Sequence, residues 1–257
     1  MLTIEPIPAF SDNYIWLFHD SGSNRACVVD PGDAGPVEAA LQARGLTLDA
    51  ILITHHHFDH VGGLEQLCAN HAPQVYGPHN PAIDRIGHRL GAGDSIEVLN
   101  VRFDVMEVPG HTLDHIAYFH QAEQPLVFCG DTLFAGGCGR VFEGTPHMML
   151  QSLEALASLP AATRIYCAHE YTLANLAFAR AAEPANEDVA ARLRETEAAR
   201  AQGEPTVPST LAQELATNPF LRCRTAALRT SLAQQGRLSS ELPDEVFATV
   251  RSWKDNF

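Results

Sequence analysis

Lysine occurs once in the 257 residues, at Lys254, among 17 basic residues set against 31 acidic ones. The resulting net charge of −14 excludes a general attraction to nucleic acid or to an anionic membrane. Also missing is any run of the ~18–20 apolar residues that a membrane-spanning helix requires. The first residues, Met1-Leu2-Thr3-Ile4-Glu5-Pro6, lack the basic start and apolar stretch of a secretory leader, so a cytoplasmic address is expected. The six cysteines contain no Cys-x-x-Cys pair, which argues against a disulfide frame or a thiolate zinc site. Neither a Gly-x-Ser-x-Gly elbow nor a phosphate-cradling glycine loop occurs, and no internal repeat is visible.

What is present divides near residue 170. Before it, Tyr14–Asp20, Cys27–Asp30, Ala50–Thr54, His115–His120, Leu126–Cys129 and Arg164–Cys167 are short apolar runs bounded by turn residues, the pattern of strands. Ser95–Leu99 and Val101–Val108 predict a hairpin that pivots near Asn100. Between these runs Pro36–Arg44, Val61–Ala69 and Met148–Leu159 carry helical spacing. Beyond residue 170 the chain becomes rich in Ala, Glu and Arg with few β-branched residues. Helices are predicted over Thr172–Ala182, Asn186–Gln202, Thr210–Ala216, Arg224–Gln234 and Pro243–Trp253, with a loop at Gly203–Pro208. The expected organisation is a catalytic α/β domain over 1–169 and a helical domain over 170–257.

The chemistry concentrates in Thr54-His55-His56-His57-Phe58-Asp59-His60, directly after a predicted strand. Open α/β sheets place their sites at such carboxyl ends. His55 and His57 alternate, so both can face one metal ion, while Asp59 and His60 begin the next turn and can face a second. Three more ligand-type residues follow other strands: His111 in Val108-Pro109-Gly110-His111, Asp131 in Cys129-Gly130-Asp131, and His169 in Cys167-Ala168-His169. Imidazole and carboxylate donors together suit zinc, iron or manganese. The remaining histidines (19, 71, 79, 88, 120 and 147) lack a ligand partner in register, and His115 is read as structural.

This constellation resembles the metallo-β-lactamase superfamily, whose motif is His-x-His-x-Asp-His followed by single His, Asp and His ligands. The resemblance implies an αβ/βα sandwich of two mixed sheets flanked by helices, followed here by the helical tail. It implies two divalent ions, zinc first among the candidates: one on His55, His57 and His111, the other on Asp59, His60 and His169, with Asp131 bridging. His56 falls at the variable position. Asp30, in Val29-Asp30-Pro31-Gly32, matches an early aspartate that orients a ligand, although a turn-capping role fits it equally. Two such ions would acidify a shared water and polarise an attacked carbonyl. Asp131 would hold both ions, and Asp59 would also contact that water.

Three further segments resemble the glyoxalase II (hydroxyacylglutathione hydrolase) family. They are Gly130–Phe134 continuing to Gly136–Thr145, Cys167–Asn175, and Asn218-Pro219-Phe220-Leu221-Arg222 in the tail. The implied reaction is hydrolysis of a glutathione thioester, chiefly S-D-lactoylglutathione; a monomer that binds neither nucleic acid nor membrane is expected. Arg140, Arg222 and Arg224 would meet the glutathione carboxylates, since arginine binds carboxylates bidentately. Tyr171 would offer its hydroxyl to the glutathione backbone. One departure is Arg140-Val141-Phe142 where many members have Lys-x-Tyr, so Phe142 could pack on glutathione but not hydrogen-bond it. The competing readings are a single-iron glutathione persulfide dioxygenase, against which the long tail weighs, and another metal-dependent ester or lactone hydrolase.

Overall fold

The computed structural model describes residues 2–257, and their contacts divide into two compact units. The first comprises the residues up to Glu107 together with Asp114–Gly130. It opens with β1 (Leu2–Ala9), β2 (Asn13–Asp20) and β3 (Arg25–Val29), followed by α1 (Ala34–Arg44) and β4 (Thr47–Leu52). Then come α2 (Phe58–Val61), α3 (Leu64–His71), β5 (Gln74–Pro78) and β6 (His88–Leu90). The six strands lie in sequence order, β1-β2-β3 antiparallel and β3-β4-β5-β6 parallel, so the sheet is mixed. Helix α1 starts because Asp33 caps it, its side chain accepting from the Gly35 N–H. Its buried Val37, Ala40 and Leu41 join Val28, Ile51 and Leu67 in one apolar core.

The same unit continues with β7 (Ser95–Val98), β8 (Val101–Glu107), β9 (Ile116–His120) and β10 (Leu126–Gly130), paired antiparallel in succession. The predicted hairpin pivot lies at Leu99 and Asn100, both at positive φ (53° and 62°), which matches the twist of two-residue hairpins. Phe18 of the first sheet packs on Phe103 and Phe128 of these strands, with ring centroids 5.7 Å apart in both cases. Two layers thus close over a shared aromatic core.

The second unit holds Val108–Leu113 and Asp131–Phe257. It contains the two-stranded β11 (Leu133–Phe134) and β12 (Gly137–Cys138), then α4 (Pro146–Ala157) and β13 (Arg164–Cys167). The helices α5 (Thr172–Ala182) and α6 (Glu187–Ala201) follow, then β14 (Ser209–Thr210), which pairs antiparallel with β13. Helices α7 (Leu211–Thr217), α8 (Ala226–Gln234) and α9 (Pro243–Asp255) complete it. Four starts are set by side-chain caps: Thr145 for α4, Asn186 for α6, Thr225 for α8, and a Thr210/Gln213 capping box for α7. All five helices predicted beyond residue 170 are present, α5 with the predicted bounds. Among the described residues no helix is long and apolar enough to cross a membrane.

Candidate metal centre

In the first unit, β4 delivers the chain to Thr54 and the histidine run, and α2 turns Asp59 and His60 back toward it. His55 and His60 are fully buried. The His55 ring lies 4.8 Å from that of His57 and 4.0 Å from that of His60, centroid to centroid. Donor atoms of His55 and His57, of His55 and His60, and of Asp59 and His60 each lie within 4.8 Å of one another. Nε2 of His60 is 3.6 Å from Oδ2 of Asp59.

Asp30 stands behind these ligands, buried and at a positive φ of 53°. Its Oδ1 accepts from the Thr54 N–H at 2.8 Å and its Oδ2 from the Thr54 hydroxyl at 2.7 Å. Oδ2 also lies 3.0 Å from Nδ1 of His60. Asn13, at the start of β2, donates from Nδ2 to Asp59 Oδ2 at 3.0 Å. His115 is buried with its ring stacked on His55 at 4.5 Å and 17°. His56 pairs with Asp114 at 2.9 Å, and Asn80 donates to the other oxygen of that carboxylate at 2.7 Å.

In the second unit, Asp131 Oδ2 lies 3.4 Å from Nε2 of His111 and 3.3 Å from Nε2 of His169. The other nitrogen of His111 faces the Arg140 carbonyl at 2.8 Å, which fixes the proton on Nδ1 and leaves the Nε2 lone pair as a donor to a metal ion. His169 lies flat on Tyr171, 4.7 Å apart at 6°, with Phe134 edge-on at 5.7 Å. The Phe142 ring sits 5.3 Å from that of His111. Gly139 passes so close that a Cβ there would fall 2.0 Å from the Asp131 carbonyl, so no other residue fits.

These spacings test the donor set. Two ligands each about 2.1 Å from one tetrahedral ion stand roughly 3.4 Å apart. The 3.3, 3.4 and 3.6 Å separations agree with that figure. The donors, imidazoles and carboxylates without thiolate, suit a divalent metal ion. None of the six cysteines is paired in a disulfide.

The residues expected to bind substrate separate into two groups. Arg140, Phe142 and Tyr171 are exposed beside the ligands of the second unit. Arg222 instead spends its guanidinium on Glu183, through Nε at 2.6 Å and NH2 at 3.0 Å, and on the Leu215 carbonyl at 3.1 Å. Glu183 raises the pKa of Arg222 and holds the pair together. Arg224 donates to Glu154 at 2.6 Å. Asn218, of the same tail motif, is fully buried and donates to the carbonyls of Phe134 and Gly137 at 3.2 and 2.9 Å.

The sequence reading passed over four residues that the structure brings forward: Asn13, Thr54, Arg251 and Lys254. Asp255 lies 3.7 Å from Arg140 and 3.0 Å from Arg251, and Arg251 also donates to the Cys138 carbonyl at 3.0 Å. Burial, then the neighbouring Arg251 and Arg140, push the Lys254 ammonium below its ordinary pKa. The spacing of Arg251 and Lys254, three apart on a helix, was a legible signal for a shared face.

Residues 10–169 match the model of the metallo-beta-lactamase superfamily, and residues 170–257 match that of the hydroxyacylglutathione hydrolase C-terminus. The chain is 57% identical to a hydroxyacylglutathione hydrolase from Ectopseudomonas mendocina and 52% identical to one from Chromohalobacter salexigens, each over 100% of both chains. Among solved structures, ETHE1 from Myxococcus xanthus superposes with a TM-score of 0.66 at 24% identity, covering 99% of this chain and 98% of the other. TTHA1623 in a di-iron-bound form gives 0.61 at 26%, covering 84% and 100%. The fold is therefore that of the metallo-β-lactamases with a helical tail, and the chain belongs to the hydroxyacylglutathione hydrolase family.

Proposed function

We infer that this chain hydrolyses the thioester of S-(2-hydroxyacyl)glutathione, chiefly S-D-lactoylglutathione, to glutathione and the hydroxy acid. The observation that carries this reading is the full-length likeness to hydroxyacylglutathione hydrolases at 52–57% identity. The unbroken set of seven metal-type ligands supports it. In this reading His55, His57 and His111 serve one ion and Asp59, His60 and His169 a second, with Asp131 common to both. Zinc suits the donors best, and iron or manganese also fits. Such ions supply Lewis acidity and a water acidified to near neutral pH.

The chain's own residues do the rest. Asn13 holds the Asp59 carboxylate by its Oδ2. Asp30 places its carboxylate charge 3.0 Å from His60 Nδ1, on the opposite side of the ring from Nε2. Residues 170–257 form the substrate-binding part, and Arg140 with Lys254 offers positive charge to the glutathione carboxylates. The Tyr171 hydroxyl and the exposed Phe142 ring contact the peptide portion. The structural engagement of Arg222 and Arg224 favours a buttressing role for both. A thiolate is a good leaving group, so little general-acid assistance is required, and no side chain need act as nucleophile. The enzyme works as a soluble monomer in the cytoplasm.

The test is the loss of thioester absorbance with purified protein, together with elemental analysis. Turnover abolished by a chelator and restored by zinc, with about two ions per chain, is expected under this reading. Two bound ions without turnover would move the substrate elsewhere. One bound iron with oxygen uptake on glutathione persulfide would replace the reading with a dioxygenase.

A further inference from the structure

The first unit contains a circuit of polar contacts that joins Asp30 and Thr54 to His55 and His60. Thr54 is fully buried, and its hydroxyl stands between Asp30 Oδ2, 2.7 Å away, and His55 Nδ1, 3.0 Å away. A hydroxyl has one proton. It donates that proton to Asp30 and can therefore only accept from His55. This fixes the His55 proton on Nδ1 and leaves the Nε2 lone pair as the metal donor. The same Asp30 oxygen lies 3.0 Å from Nδ1 of His60, where its charge favours a proton on that nitrogen without the geometry of a hydrogen bond. The Thr54 N–H, bonded to Asp30 Oδ1 at 2.8 Å, prevents the carboxylate from rotating away.

Two further contacts hold the circuit. His115 stacks on the His55 ring. Gly130, at a φ of +47°, passes beside Thr54 and His115, and a Cβ there would fall 2.4 Å from the Thr54 hydroxyl and 2.9 Å from the His115 ring.

We propose that Thr54 is a positioning residue whose hydroxyl relays the Asp30 carboxylate to His55, so that one aspartate orients a ligand of each metal ion. The proposal rests on the two-ion reading above. The relay is asymmetric. Asp30 reaches His60 directly but reaches His55 only through Thr54, so removal of the hydroxyl loosens one ion and removal of the carboxylate loosens both.

Stepwise competition of the metal-loaded protein with a chromophoric zinc chelator reads the two dissociation constants separately. Thr54→Val keeps the shape and removes the hydroxyl; it is expected to weaken one ion by about 10- to 100-fold, the usual cost of a lost outer-shell partner, and to spare the other. Thr54→Ser is expected to restore both constants, and Asp30→Asn to weaken both. Should the valine variant not fold, Thr54→Ala serves the same comparison. Imidazole nitrogen NMR adds a readout that a merely structural role would not move, because the His55 Nδ1 signal should shift in Thr54→Val and return in Thr54→Ser. If wild type holds two ions and Thr54→Val holds both as tightly, the relay is wrong and the two-ion reading stands. If wild type itself binds fewer than two, the two-ion reading fails and takes the relay with it.

Discussion

At the scale of single residues, candidate chemistry was legible where few side chains could supply it. His55, His57, Asp59, His60, His111, Asp131 and His169 stand out as proposed ligands because few residue types bind metal and each follows a strand. Residues that act through others carried no such mark. Thr54 reads as the polar end of a strand and Asn13 as a turn residue, and only their contacts reveal what they hold. Arg222 and Arg224 are hard to read for the opposite reason. A guanidinium looks the same in sequence whether it meets a ligand or Glu183, and Arg222 meets Glu183. Arg222→Ala is therefore expected to lower stability on the order of 2 kcal/mol, below the ~3–5 of a fully buried pair, with the Michaelis constant little changed. Urea unfolding and steady-state kinetics on the same sample check both halves. Phe142→Tyr should instead lower the Michaelis constant for a glutathione thioester by about 2- to 10-fold, the worth of one added hydrogen bond of roughly 0.5–1.5 kcal/mol. No change would mean that ring 142 does not reach the peptide.

Burial also sets the behaviour of the thiols. It pushes Cys138 up to about 11 and Cys167 to about 12, and raises Cys27 and Cys223 well above the ordinary range. The thiolate is the reactive form, so these groups are inert near neutral pH and gain reactivity only as pH rises. Iodoacetamide at pH 8 should label the half-buried Cys68 first in the folded protein, and all six cysteines after unfolding, as peptide mass mapping would show.

At the scale of elements, helices were legible to within a few residues because their caps and spacing are local. The N-terminal strand was not. Leu2–Ala9 contains Pro6 and Pro8, which argue against a strand in isolation, yet β1 lies at the margin of its sheet where a missing N–H is tolerated. Short strands such as β5, with Gly77 and Pro78, and β14, two residues long, depend on their neighbours and leave little periodicity to read. The tail motif carries part of the family resemblance, and its asparagine ties α7 to β11 and β12. Glu214 joins it, accepting from the Gly136 N–H at 2.8 Å and pairing with Arg192 at 2.6 Å. Asn218→Ala would strand two buried carbonyls at about 1–3 kcal/mol each. The expected result is a fall of several degrees in melting temperature with Arg140 displaced, seen as a weaker Michaelis constant at unchanged metal content.

At the scale of the whole molecule, the proposed metal ligands come from distant stretches of the chain, residues 55–60, 111, 131 and 169. Metal binding is then also folding free energy, since ligands bound in the native state are dispersed in the unfolded chain. Removing metal with a chelator should lower the melting temperature, and zinc should restore it in a concentration-dependent way. A melting temperature indifferent to chelation would show that the ions contribute nothing to folding stability.

The two prolines of β1 have one more effect. They stand two apart and so point to the same side of the strand, while the ladder with β2 runs unbroken past both. Their missing N–H groups therefore fall on the outward margin, where a passing extended chain would otherwise find donors in register. That margin is closed to recruitment into a larger sheet, and the enzyme carries its own protection against edge-to-edge aggregation in the first eight residues of its sequence.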